Sequence, residues 1–76
     1  MKKNEFIIKL KEELELESDI NFMTDLKALD EWDSMTAMVL IGFVSDNFGL
    51  TLTAEDIKQM TNIDSLVTRI GKEKIN

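Results

Sequence analysis

Between Asp33 and Gly49 lies a run that reads as a helix apolar nearly all the way round, from about Ser34 to Phe48. Asp33 suits its N-cap and Gly49 its stop. On a wheel of about 100° per residue, Ala37, Leu40, Ile41, Val44 and Phe48 form one stripe, the expected core face. Met35, Met38, Val39, Gly42 and Phe43 point the opposite way. A helix apolar on both faces is either covered on both or exposes an adhesive surface. Other helices can cover part of the second face, Phe43 included. Met35, Met38 and Val39 are then expected to form a partner surface, for which flexible, polarisable methionine is well suited.

The flanking segments supply the other helices. Residues 3–16 repeat Phe6, Ile7, Leu10 and Leu14 at helical spacing, opposite Lys9, Lys11, Glu12 and Glu13. Asn4 is the expected cap there, and Glu5 and Lys9 lie four apart in the favourable order. From about Glu17 to Trp32 the period fails. Turn formers (Ser18, Asp19, Asn21, Thr24, Asp25) alternate with isolated Ile20, Phe22, Met23, Leu26 and Leu29. So long a loop is expected to be functional and pinned to the core. Thr53-Ala54-Glu55-Asp56 outlines a capping box opening a short helix, with Ile57 and Met60 inward. Thr61-Asn62-Ile63-Asp64 opens a last helix with Ile63, Leu66, Val67 and Ile70 inward, and Arg69, Lys72 and Lys74 near its C-terminal end. The expected fold is all-α: one domain over residues 1–76, an irregular four-helix bundle of three longer helices and one short one, with a long first loop.

Several chemistries are excluded or weakened by what the 76 residues contain. There is no cysteine, histidine or tyrosine. Disulfides, thiolate metal sites and the commonest general base are therefore unavailable. The charge of −6 conceals an acidic middle. Between Glu12 and Leu66 thirteen acids face only Lys27 and Lys58, whereas the first eleven residues carry four lysines against Glu5. Such a chain does not suit nucleic acid; it suits partners with basic surfaces. Asp25, Asp30, Glu31 and Asp33 are clustered acids, but the central glycine of a calcium loop is missing, so no specific metal site is expected. Asp30 and Asp33 lack a visible cleft for acid–base work. The apolar start Phe6–Ile8 is too short for an export signal, nothing approaches a membrane span, and helix two has no Lys or Arg for a lipid surface. A cytoplasmic, monomeric, non-enzymatic protein is expected.

Ser34 stands where the acidic loop ends and the apolar helix begins. Its hydroxyl lies beside unpaired amides at the positive end of the helix dipole, a sound place for a phosphate ester. A serine at a helix start usually only caps it, and an Asp-Ser pair by itself means little. Context changes that. The run Asp33-Ser34-Met35-Thr36-Ala37-Met38-Val39-Leu40-Ile41, continuing to Phe48-Gly49-Leu50, resembles the signature of acyl carrier proteins, in which an Asp-Ser-Leu triplet opens the second helix. The length, acidity, long first loop and Thr53-Ala54-Glu55-Asp56-Ile57 stretch are similar too.

The resemblance implies that Ser34 bears 4′-phosphopantetheine, transferred from coenzyme A by a phosphopantetheinyl transferase with Mg²⁺, and that Asp33 fixes the helix start beside it. The arm's thiol would hold an acyl group as a thioester for partner enzymes of fatty-acid, polyketide or specialised acyl-transfer pathways. Met35, Met38, Val39 and Gly42 would contact those enzymes near the arm, with Asp30, Glu31, Asp33 and Asp46 supplying charge. Two departures point to a specialised, stand-alone member. Met35 replaces the usual Leu and Trp32 the usual small residue, while Thr36, Val39 and Ser45 occupy a face that is acidic in fatty-acid carriers. The Asp-Ser-Met form also occurs in D-alanyl carriers, so an aminoacyl or peptidyl load is the alternative. A helical adaptor binding without covalent modification is the rival from another class.

Overall fold

The computed structural model describes all 76 residues and contains helices α1 (Lys3–Glu13), α2 (Ser34–Phe48), α3 (Ala54–Gln59) and α4 (Ile63–Ile70), with no strand. Two 3₁₀ turns, Leu26–Ala28 and Lys72–Lys74, complete it. This is the expected small helical bundle. Its centre is Phe6, wholly buried, whose ring lies 6.5 Å from that of Phe22, 5.9 Å from Phe43 and 6.1 Å from Phe48. One side chain thus ties α1 to the first loop and to the C-terminal half of α2. Tilted aromatic pairs at such distances add about 0.5–1.5 kcal/mol each beyond the area they bury.

Helix α1 is shorter than its apolar spacing suggests. Glu15 takes a left-handed φ of 54°, and the Leu16 amide reaches back 3.0 Å to the Lys11 carbonyl, a C-terminal closure usually built on glycine. The turn stops the helix yet keeps both Leu14 and Leu16 in the core. At the other end the cap is Lys2, which contributes no side-chain bond, not Asn4. The Met1 ammonium donates to the Lys74 carbonyl at 3.0 Å and the Asn76 amide to the Met1 carbonyl at 2.8 Å. This pairing holds the chain extended into Lys2, so the helix starts one residue before Asn4.

The first loop is pinned, as its scattered apolar residues suggest. Leu26 is fully buried, and Ile20, Phe22, Leu29 and Trp32 pack against the core. Asp25 caps the turn at Leu26–Ala28, and Thr24 and Asn21 exchange bonds across the preceding bend. The loop also serves α4. The amides of Ile63 and Asp64, which no helical carbonyl can reach, donate to Thr24 and Phe22 carbonyls at 2.9 and 2.8 Å.

Thr53 and Asp56 form the capping box of α3 as its pattern implies. At α4 the box is Asn62 with Ser65, one residue later than the Thr61 pattern suggests. Asn62 wins because its side-chain oxygen accepts from the Ser65 amide at 2.8 Å while Ser65 Oγ accepts from the Asn62 amide at 3.1 Å. Arg69 does not simply complement the α4 dipole. Its guanidinium bonds both carboxylate oxygens of Asp56, at 3.0 and 3.4 Å, and joins α4 to α3.

The rotation of α2 corrects the wheel. Leu40 and Val44 are buried as expected, but Phe43 and Thr36 are buried too, whereas Ala37, Ile41 and Phe48 are only half-buried. The buried centre is turned by about 70° toward Phe43. The attraction is Phe6, which meets both Phe43 and Phe48 in the second half of the helix. Phe6→Ala should therefore cost about 3–5 kcal/mol, measured by urea unfolding, whereas Met38→Ala should stay within about 0.5 kcal/mol. Equal losses in the two variants would contradict this account of the core.

Candidate functional site

The start of α2 is built by Asp33. Its backbone is extended (φ −153°, ψ −173°), and its carboxylate accepts from the Thr36 amide at 2.8 Å and the Thr36 hydroxyl at 2.9 Å. Ser34 is consequently the first helical residue, not the cap, and it is exposed. The capping duty that usually occupies a serine in this place falls to its neighbour. Asp33 also modifies the expectation for a phosphate. The Thr36 amide is already engaged by this carboxylate, so the helix start offers an anion its dipole and one free donor fewer.

The Asp33 carboxyl is held below the usual range, first by the Thr36 amide, then by the Thr36 hydroxyl, against a small opposing effect of burial. Glu31 is lowered likewise. Its carboxylate accepts from the Ser18 amide at 3.1 Å and the Glu17 amide at 3.0 Å, with the Ser18 hydroxyl at 3.2 Å. The side chain anticipated as a partner-facing charge thus closes the beginning of the first loop onto its end. Asp56 is the third lowered carboxyl, through Arg69 first and the Thr53 amide next.

Around this junction the sequence-derived residues fall into two groups. Met35 and Met38 are 74% and 71% exposed and Val39 39%. Gly42 is exposed on the same face, where an added Cβ would meet nothing within 4 Å. Asp30 and Asp46 are exposed carboxylates. Glu31 and Asp33, by contrast, are engaged with backbone and side-chain donors. An open groove of about 380 Å³ runs beside the junction, lined by Glu13, Glu15, Glu31, Asp33, Met35 and Val39. No three acidic side chains converge as they would on a metal ion, and no helix is long and apolar enough to cross a membrane.

Thr36 was not among the expected site residues; its place on the second helix suggested the open face. It is the one polar residue in the buried set, at 9% exposure. The signal was available in the spacing Asp33-x-x-Thr36, which puts a hydroxyl where the third residue of a capping box sits.

The family model of the phosphopantetheine attachment site matches residues 5–70. The chain belongs to that family. The match begins inside α1 and ends on the last residue of α4, so it takes in the whole bundle. No curated protein and no solved structure matches the chain. The cofactor of this attachment domain is 4′-phosphopantetheine, and its role is that of a carrier. The residues at the junction fit such a group: an exposed serine hydroxyl on a helix start fixed by its neighbour.

A carboxyl lowered in the folded state stabilises it fully above the unfolded pKa, about 4, and that contribution is lost as pH falls through the folded value. Glu31, Asp33 and Asp56 all have this sign. The melting temperature should accordingly hold from neutral pH to about 5 and drop below about 4. Asp33→Asn, which keeps an accepting oxygen without the titration, should make the acid-side drop shallower in circular dichroism melts. An identical drop in both proteins would show that Asp33 does not contribute to it.

Proposed function

We propose that Ser34 is the residue that carries 4′-phosphopantetheine, and that residues 1–76 present an acyl group on that arm to a series of partner enzymes. The observation that carries this reading is the division of labour at the start of α2: Asp33 caps, and Ser34 is left exposed with its hydroxyl unused. The other serines lend support by contrast. Ser18 bonds Glu31, Ser65 completes the α4 box, and Ser45 lies well inside α2.

In loading, Ser34 Oγ forms a bond to the phosphorus of coenzyme A that bears the pantetheine. The pyrophosphate bond of coenzyme A breaks, the nucleotide portion leaves, and the serine proton passes to the transferase. When bound, the arm supplies a terminal thiol that holds an acyl group as a thioester. The chain's own residues hold the attachment point still and offer contact surface. Because the chain has no cysteine, no side-chain thiol competes for the acyl group.

Met35, Met38, Val39 and Gly42 form the docking face, and Asp30 and Asp46 flank it with charge. The acidic Glu31 and Asp33 add to the field around it even while bonded. An apolar face rimmed by carboxylates fits a partner surface with an apolar centre and basic edge, steered by charge and held by contact. Partners of this kind are the phosphopantetheinyl transferase and the enzymes that load and remove the acyl group. The apolar character of the face, in place of a line of acids, favours dedicated partners of a specialised pathway over general fatty-acid synthesis.

Incubation with a promiscuous transferase and coenzyme A should add one phosphopantetheine to the intact mass, and Ser34→Ala should abolish the gain while retaining the helical spectrum. A wild-type chain that gains nothing would favour the non-covalent adaptor instead. Met38→Glu and Val39→Lys should slow turnover with partner enzymes without loss of helicity. Unfolding of those two variants would mean that the face belongs to the core.

A further inference from the structure

We propose that Thr36 is a positioning residue for the modification of Ser34, acting through the Asp33 carboxylate and the Glu31 carbonyl. The inference rests on Ser34 being the attachment residue. Thr36 Oγ1 lies 2.9 Å from Asp33 Oδ1 and 3.1 Å from the Glu31 carbonyl oxygen. Both are acceptors, so the single hydroxyl proton is shared between them. The Thr36 amide donates to the same Asp33 oxygen at 2.8 Å. The result is a closed loop of bonds from residue 31 to residue 36, and Ser34 lies inside it.

The loop is anchored from outside as well. The Glu31 side chain accepts from Glu17 and Ser18, so the segment before Ser34 is tied to the distant start of the first loop and, through Thr36, to the helix after it. The serine's backbone is restrained on both sides.

Packing alone does not require the hydroxyl. Valine has nearly the same shape and would fill the same space without burying a polar group. Capping alone does not require it either, because Asp33 already has the Thr36 amide. What the hydroxyl adds is the link to Glu31, which fixes the approach of the chain to Ser34. A transferase must bring Ser34 Oγ onto a phosphorus in line with a departing oxygen, and misplacement by about 1 Å can cost on the order of a hundredfold in rate.

Trp32, the only tryptophan, lies within the restrained segment, half-buried against the core. It therefore reports the segment's mobility without a label.

The test is transfer of phosphopantetheine from coenzyme A by a promiscuous transferase to the wild-type chain, Thr36→Val and Thr36→Ser. Thr36→Val should lower the rate at saturating carrier by about tenfold and leave KM within about twofold, with a lower Trp32 fluorescence anisotropy and an unchanged far-ultraviolet spectrum. Thr36→Ser, which keeps the hydroxyl, should restore the rate to within about twofold of wild type. The proposal is overturned if Thr36→Val is loaded at the wild-type rate, if only KM changes, or if Val and Ser lose equally. Unfolding of Thr36→Val at the assay temperature overturns it too, because the hydroxyl then serves the fold and not the serine. Absence of any loading in the wild-type chain would instead sink the assignment of Ser34 itself.

Discussion

The contact of Phe6 with three other aromatic rings is the constraint on which the arrangement depends. In a 76-residue chain without a disulfide, few side chains are available to decide how helices meet. Phe6 decides for α1, the first loop and α2 at once. Phe43 and Phe48 are separated by about one and a half turns, so engaging both sets the rotation of α2 about its own axis. Met35, Met38 and Val39 then point outward because the aromatic contact leaves them no other direction. The exposed apolar face is thus a by-product of the core, and its orientation is set well away from its own residues.

The acidic middle of the chain is less uniform than its net charge suggests. Glu31, Asp33 and Asp56 are acceptors for backbone amides and for the side chains of Ser18, Thr36, Thr53 and Arg69. Asp30 and Asp46 remain open to solvent. One charge pattern therefore does two jobs: some carboxylates close loops and cap helices, and others set the field around the protein. The first kind is screened less by salt because its partners are in direct contact. The second is screened over about a Debye length, near 10 Å at 0.1 M salt.

Much of this was legible in the residues, for reasons that can be named. Asp33 and Gly49 bound α2 because capping and left-handed termination are local chemistry, decided within a few residues. The Thr53 box is local in the same sense. What escaped depended on distant partners. The rotation of α2 toward Phe43 follows from Phe6, far away in sequence, and the end of α1 follows from a left-handed Glu15, a residue type seldom chosen for that conformation. At the site, Ser34 and Asp33 were visible from the pattern and its resemblance to carrier proteins. Glu31 was visible only as a charge, since nothing local indicates that it meets Glu17 and Ser18. Thr36 was assigned to the open face by the resemblance to fatty-acid carriers, whereas the rotation of α2 toward Phe43 carries it into the core.

The bonds from the amides of Ile63 and Asp64 to the carbonyls of Thr24 and Phe22 span about forty residues each. Helical bundles usually gain their speed of folding from contacts close in sequence. Here the first turn of the last helix is completed by a segment that is not helical and lies on the far side of α2 in the chain. The loop must be in place before α4 can finish, and α4 in turn holds the loop. The two should therefore be protected from hydrogen exchange as one unit, and slack in the stretch leading to Ser34 would be felt at the opposite end of the polypeptide.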